Sequence, residues 1–253
     1  EEERLLGVSL TGILDCPILR PNNTNLKDTL EQLRTVAVET NKKIAKDLGI
    51  PQSTAITCVK PSGTVSQLVD SASGIHARHN PFYVRTVRGD NKDPLTQFMQ
   101  QVGIPIEPDM GKPDSVSVFS FPMKSPNGAV TRTEMTALEQ LDYWLLFQRH
   151  WCEHKPSVTI SVKENEWMDV GAWVYRNFDE VSGISFLPFS EHTYQQAPYQ
   201  DISEEEYNEL MKKMPSTIDW GMLKEFEKED TTTGSKDLAC VAGACEIVDI
   251  EGR

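Results

Sequence analysis

Two cysteines near the end of the chain, Cys240 and Cys245, are separated by Val-Ala-Gly-Ala. Four small residues, one of them glycine, let two sulfurs meet without strain. Thiol–disulfide exchange needs access and mobility more than a rigid pocket, and a terminal arm supplies both. The preceding Thr231-Thr-Thr-Gly-Ser-Lys236 has a linker's composition. From Thr231 to Cys240 such an arm reaches at most about 30 Å. The pair is either an electron shuttle or two unrelated surface thiols. Zinc fits the spacing poorly, because only two ligands are local and no C-x-x-C partner exists.

A second candidate is Lys60-Pro61-Ser62-Gly63-Thr64, which follows the β-branched run Ala55-Ile-Thr-Cys-Val59 and precedes Val65-Ser-Gln-Leu-Val69. A strand that ends in such a turn and enters a helix aims unpaired backbone N–H groups at one point, where an anion such as phosphate fits. Ser62 and Thr64 add hydroxyls, and Gly63 permits close backbone approach. The spacing is not that of a Walker loop. The alternative is a plain strand–helix turn with a Ser or Thr N-cap.

A third is Gly74-Ile-His76-Ala-Arg78-His79, followed by Arg85 and Arg88. The cations could complement a phosphate held at 60–64. His76 and His79, with Cys152 or His154, could instead bind a metal, although no spacing demands it, and a salt-bridged loop explains them equally. Cys58 lies within the expected strand and Cys152 on the apolar face of an expected helix, so both read as core. Trp144, Trp151, Trp167 and Trp173 read as core at helical spacing. Cys16 has no assigned role.

Composition limits the function classes. With 253 residues, the chain has room for one large domain or two small ones. Its 25 basic and 38 acidic residues give a net charge of −13, which argues against sequence-blind binding to nucleic acid. No apolar run reaches membrane-spanning length, and no signal peptide opens the chain. Five widely spaced cysteines are no disulfide framework, and a reducing cytoplasm is the expected setting. The first residue is Glu1, which suggests a piece of something longer. Ile250-Glu-Gly-Arg253 reads either as a protease-cleavage scar or as natural sequence.

The elements that must position these groups follow from periodicity. Leu26, Leu30, Leu33, Ala37, Ile44 and Leu48 predict a helix closed by Gly49. Phe82–Val87 reads as a strand and Leu95–Val102 as a short helix. Ser115–Phe121, a helix opened by the Thr136-x-x-Glu139 capping box, Val158–Val162, a helix through Trp167, Val170 and Val174, and Gly183–Leu187 predict a β-α-β-α-β run with parallel neighbours. The expected class is α/β. Ser203-Glu-Glu-Glu206 caps a polar helix to about Met214, and Asp219 caps another ending near Glu229.

Taken together, Gly7-Val-Ser-Leu-Thr-Gly12, Val59-Lys-Pro-Ser-Gly-Thr-Val-Ser66, Ser73-Gly-Ile-His76 with Arg78-His79, Pro188–Tyr199 and the Cys240-x4-Cys245 tail resemble one family. It is the monomeric branch of the class II ribonucleotide reductases, the adenosylcobalamin-dependent ribonucleoside-triphosphate reductases, in its C-terminal portion. The resemblance runs over nearly the whole chain, and the joint occurrence of the Lys-Pro-Ser-Gly-Thr turn and the C-x4-C tail makes it specific.

The resemblance implies the second half of a ten-stranded α/β barrel over residues 1–230, then a flexible tail, 231–253, carrying the redox pair. It implies that Pro61, Ser62, Gly63 and Thr64 hold the phosphates of a ribonucleoside triphosphate. Cys240 and Cys245 would re-reduce an active-site disulfide and be recycled by thioredoxin. The family's chemistry uses adenosylcobalamin to generate a thiyl radical on a finger-loop cysteine, which takes the ribose 3′ hydrogen before the 2′ hydroxyl leaves as water. The finger-loop motif Asn-Pro-Cys-Gly-Glu is absent from this sequence, so neither Cys16, Cys58 nor Cys152 is assigned the thiyl. No cobalamin contact and no metal ligand is assigned. The chain is expected to need the family's N-terminal half for turnover. Two other classes compete: a nucleotide- or phosphate-binding module without chemistry, and a thiol–disulfide carrier.

Overall fold

A computed structural model describes residues 4–63, 65–189 and 195–227. In chain order its elements are β1 (Val8–Ser9), α1 (Leu26–Leu48), β2 (Thr57–Cys58), α2 (Val65–Leu68), β3 (Phe82–Asp90), α3 (Pro94–Gln101), β4 (Ile106–Pro108), β5 (Val116–Lys124), α4 (Ala137–His150), β6 (Val158–Val162), α5 (Trp167–Arg176), β7 (Ile184–Pro188), β8 (Tyr199–Asp201) and α6 (Glu204–Met211). They form two compact units. One comprises the described parts of 1–78 and 126–191, and the other comprises 79–125 and the described part of 192–253.

The first unit carries two short parallel pairs. β1 lies beside β2 with Val8 opposite Thr57 and Ser9 opposite Cys58. β6 lies beside β7 from Val158–Ile184 to Val162–Pro188. The β6–α5–β7 crossover is therefore as the periodicity predicts. Helix α4 opens on the expected box: Thr136 Oγ1 accepts from Glu139 N–H at 3.2 Å, and the Glu139 carboxylate accepts from Thr136 N–H at 2.8 Å. The Thr136 N–H and, at 2.9 Å, the Thr136 hydroxyl both donate to the Glu139 carboxylate and hold it below its ordinary pKa. Leu141, Trp144 and Phe147 of α4 are fully buried with Ile13, Leu14, Leu30 and Ile160.

Three of the four expected core tryptophans are buried, each with its indole N–H spent. Trp144 donates to Pro156 O, Trp151 to Cys58 O and Trp173 to Asp142 Oδ1. Trp167, at the first turn of α5, is instead 40% exposed. Helix α1 ends where predicted, with Gly49 at φ +67° and its N–H returned to the Ala45 and Lys46 carbonyls. Its apolar stripe is only partly covered: Leu26, Leu30 and Ala45 are buried, while Leu33, Ile44 and Leu48 are exposed.

The second unit holds a four-stranded antiparallel sheet in the order β4-β5-β3-β8. This corrects the predicted five-element parallel run. β5 does not begin a crossover to β6. It pairs with β3 over nine residues, from Phe82–Lys124 to Asp90–Val116. Alternation along β5 marks it as a strand but says nothing of its neighbour, and β3 offers a ladder of equal length. Asp93 caps α3 by accepting from Leu95 N–H, and Phe98 is buried against Trp220 and Phe226. Ser203 and Glu206 form the expected box on α6. The helix stops at Met211, short of the predicted Met214, and Asp219 opens only a 3-10 turn, Trp220–Glu225.

Candidate functional site

The Lys60–Thr64 turn is built from hydroxyls contributed by three separate stretches of the first unit. After β2 the chain carries Lys60 and Pro61. Lys60 N–H is taken by Ser9 Oγ at 3.0 Å, Pro61 has no N–H, and Ser62 N–H is taken by Ser73 Oγ at 3.0 Å. Ser62 Oγ lies 2.7 Å from Thr11 Oγ1, and both oxygens accept from Gly74 N–H, at 3.2 and 2.9 Å. Ser66 turns both its N–H and its hydroxyl back onto Ser62 O. Among the described residues, the N–H groups of Gly63 and Val65 have no protein acceptor. Nothing lies within 4 Å of where a Gly63 side chain would begin, and the Lys60 side chain is exposed.

The expected helix after the turn is a single turn, Val65–Leu68. Its macrodipole is correspondingly small, so any attraction for an anion comes from the open N–H groups, the Ser62 hydroxyl and the Lys60 charge. Thr64 lies outside the described residues, as do Cys240 and Cys245.

Two glycines let the hydroxyl-bearing loops approach. Gly74 sits at φ +54°, and a Cβ there would lie 2.9 Å from Lys60 O. Gly12 sits at φ +65°, and a Cβ would meet Ser71 Cβ at 3.0 Å. The loops are then locked by charge. Arg78, whose side chain is 2% exposed, donates to both Asp15 oxygens, to Asp70 Oδ1 and to Asp70 O. Asp15 in turn accepts from Ala72 N–H at 2.8 Å.

Arg78 is therefore committed within the fold and does not serve as a phosphate clamp. Arg88 is likewise engaged, 2.7 Å from Asp109. Burial alone would raise the Asp109 carboxyl, but Arg88 and the N–H groups of Lys112 and Gly111 outweigh it and hold the carboxyl below its ordinary pKa. Arg85 lies with its guanidinium carbon 4.3 Å from the centre of the Tyr199 ring.

Neither histidine of the third motif is placed for a metal. His76 Nδ1 donates to Ser73 O at 2.9 Å, and Nε2 accepts from Thr159 N–H at 3.0 Å, which fixes the neutral tautomer. Burial lowers its pKa, partly offset by the Ser73 contact. The unfolded chain thus binds a proton near pH 6.5 that the folded chain refuses, so stability must fall as pH drops below about 6.5. Urea unfolding at pH 7.5 and 5.5 checks this: the midpoint should fall at the lower pH, and His76→Gln should shrink that difference. The adjoining cavity, about 80 Å3 between His76, Gln140, Tyr143 and Thr159, has room for water but not for a nucleotide.

His79 instead stacks on Tyr199, with Nε2 2.8 Å from Asp201 Oδ1. Among the described residues no group of three or more His, Cys, Asp or Glu side chains gathers as a metal site. Cys58 and Cys152 are buried as expected, and burial, reinforced by the nearby Cys58, pushes the Cys152 thiol up to about 12. No described helix is long and apolar enough to cross a membrane. A separate cleft of about 680 Å3 is lined by Arg4, Lys42, Lys46 and Ser53, none of them foreseen as a site residue.

Sequence reasoning gave the turn itself but no role to Ser9, Thr11, Ser73 or Gly74. The only available signal was that these residues fall in the Gly7–Gly12 and Ser73–His76 stretches that carry the family resemblance.

Comparison with known proteins follows the same lines. No protein-family model matches the sequence. The adenosylcobalamin-dependent ribonucleoside-triphosphate reductase of Euglena gracilis is 30% identical over 217 residues, covering 85% of this chain and 30% of the Euglena protein. The protein of the same name from Lactobacillus leichmannii is 26% identical over 278 residues, covering 98% of this chain and 37% of its own. A crystal structure of a B12-dependent (class II) ribonucleotide reductase superposes with a TM-score of 0.77 at 22% identity, over 91% of this chain and 36% of that one. The chain spans about a third of the length of these proteins. Over most of its own length it is a homologue of the adenosylcobalamin-dependent ribonucleoside-triphosphate reductases, with the mixed α/β fold of part of a class II ribonucleotide reductase.

Proposed function

We propose that this chain is a portion of a radical ribonucleotide reductase that converts ribonucleoside triphosphates to 2′-deoxyribonucleotides. In this reading it is the second half of the family's ten-stranded barrel, followed by the redox tail. The observation that supports it best is the open face of the 60–63 turn. The Gly63 and Val65 N–H groups have no acceptor among the described residues, the Ser62 hydroxyl precedes them and the Lys60 side chain is exposed, in a chain homologous to enzymes named for a triphosphate substrate.

Within that reading each group has a task. The Gly63 and Val65 N–H groups and the Ser62 hydroxyl donate to phosphate oxygens, and Lys60 supplies charge. Pro61 fixes the entry to the turn, and Thr64 adds a second hydroxyl. Cys240 and Cys245 start as a dithiol. One attacks the disulfide left at the active site after each turnover, the second resolves the mixed disulfide, and the new disulfide passes to thioredoxin. Two thiols are oxidised as two are regenerated, so electrons balance. A dithiol recycled by thioredoxin suits a reducing compartment such as the cytoplasm.

Adenosylcobalamin, named for the relatives, would supply the radical. No cobalamin contact is assigned to this chain. On this reading the chain alone reduces no ribonucleotide, because the finger-loop motif that the resemblance calls for is absent from its sequence.

The dithiol assignment has a direct test in a full-length reductase containing this sequence. With Cys240 and Cys245 both changed to Ser, a pre-reduced enzyme should complete a single turnover and then stall with thioredoxin. A small dithiol such as dithiothreitol should restore cycling. Unchanged steady-state turnover with thioredoxin would remove the shuttle from the account, and loss of the first turnover would assign the pair a different role.

A further inference from the structure

The hydroxyls around the turn form a chain whose protons can be counted. Thr11 Oγ1 has one proton and two acceptors in range, Ala72 O at 3.1 Å and Ser62 Oγ at 2.7 Å. It also receives Gly74 N–H at 2.9 Å. If Thr11 gives its proton to Ala72 O, the short contact with Ser62 must be made by the Ser62 proton. The unliganded order is then Ser62 to Thr11 to Ala72 O, and the Ser62 proton is spent inside the protein. The other order is equally complete. Thr11 can give its proton to Ser62, because Ala72 O keeps the Gly12 N–H at 2.8 Å and is not orphaned. Ser62 then has its proton free to point outward.

We propose that Thr11 is a positioning residue for the Ser62 hydroxyl, and that phosphate binding reverses this two-step relay. Two O–H bonds rotate, no proton leaves the protein, and no covalent bond changes. In the reversed order Thr11 donates to the same oxygen that donates to phosphate, and donation into a hydroxyl strengthens that hydroxyl as a donor. Gly74 N–H, shared between both oxygens, holds the pair in place throughout. Thr11 is exposed, whereas Ser62 is half-buried, so the relay lies at the open edge of the turn. The inference rests on the reading of 60–64 as a phosphate site, and it adds a residue that the resemblance gives no role.

The test is an amide NMR titration of this chain with inorganic tripolyphosphate, comparing wild type with Thr11→Val, Thr11→Ser and Ser62→Ala. In wild type the Gly63 and Gly74 amide resonances should move together on binding, since both acceptors of Gly74 change partner. Thr11→Val should weaken binding about fivefold and Thr11→Ser less than about twofold, against a loss of about tenfold or more for Ser62→Ala. A Gly74 resonance that stays still while Gly63 shifts overturns the relay without any variant. Wild-type affinity in Thr11→Val with a weakened Ser62→Ala overturns the role of Thr11 and leaves the phosphate site standing. Full affinity in Ser62→Ala removes the Ser62 hydroxyl from the phosphate site, and the relay with it, whereas a Gly63 resonance that does not move removes the site itself.

Discussion

Changing Arg78 to Met is expected to destabilise the first unit by about 3–5 kcal/mol, the range found when one partner of a buried ion pair is removed. For a chain of this size that is a fall in melting temperature of roughly 10 °C. The magnitude follows from what remains behind. The Asp15 side chain is only 14% exposed, and it would lose the three guanidinium contacts it now accepts while keeping the Ala72 N–H. Asp70 is 61% exposed and can turn to water, so its share of the loss is small. Arg78→Lys keeps the charge but not the planar fork that reaches both carboxylates, and should recover only part of the stability. Because the same network ties residues 70–72 to Asp15, and those residues lead into Ser73 and Gly74, Arg78→Met should also loosen the turn. Thermal unfolding followed by circular dichroism checks the first effect. Faster hydrogen exchange at Gly74 N–H, relative to α4, checks the second.

The second large effect is expected at Ser62. Its hydroxyl belongs to the residue next to Gly63, whose N–H has no acceptor among the described residues, and a bond from a neutral donor to a charged phosphate contributes about 1.5–3 kcal/mol. Ser62→Ala should therefore weaken ribonucleoside triphosphate binding by roughly 10- to 150-fold. The fold should barely change, since the substitution leaves the Ser62 N–H to Ser73 contact and the Ser66 contacts to Ser62 O in place. Gly63→Ala is a useful companion. A Cβ at Gly63 meets nothing in the protein within 4 Å, so any loss of affinity there measures the crowding of a ligand and not of the chain.

These expectations depend on features that the sequence displays unequally. The helical stripe and C-cap of α1, the Thr136–Glu139 box and the β6–α5–β7 crossover are local patterns, and each is legible within a few residues. The Lys60–Thr64 turn is legible for the same reason, as residue types that free backbone donors between a strand and a helix. What could not be read was pairing at a distance. β5 alternates as any strand does, and nothing in its own residues selects β3 and β4 over β6. Thr11 and Ser62 touch across 51 positions of sequence, and Arg78 and Asp15 across 63. Arg78 looked like a phosphate ligand because a loop arginine beside histidines is a natural anion clamp, and only the fold shows the two aspartates that already hold it. The length of α2 was also beyond reach, because a helix start reads the same whether one turn or four follow.

The central claim, that the 60–64 turn holds the phosphates of a ribonucleotide substrate, is tested most directly at the Gly63 amide. Its N–H should shift saturably as a ribonucleoside triphosphate is titrated into the chain, with the Ser62→Ala chain requiring at least about ten times more ligand for the same shift. A Gly63 resonance that does not move at millimolar triphosphate, in a chain whose other amides report an intact fold, would contradict the account.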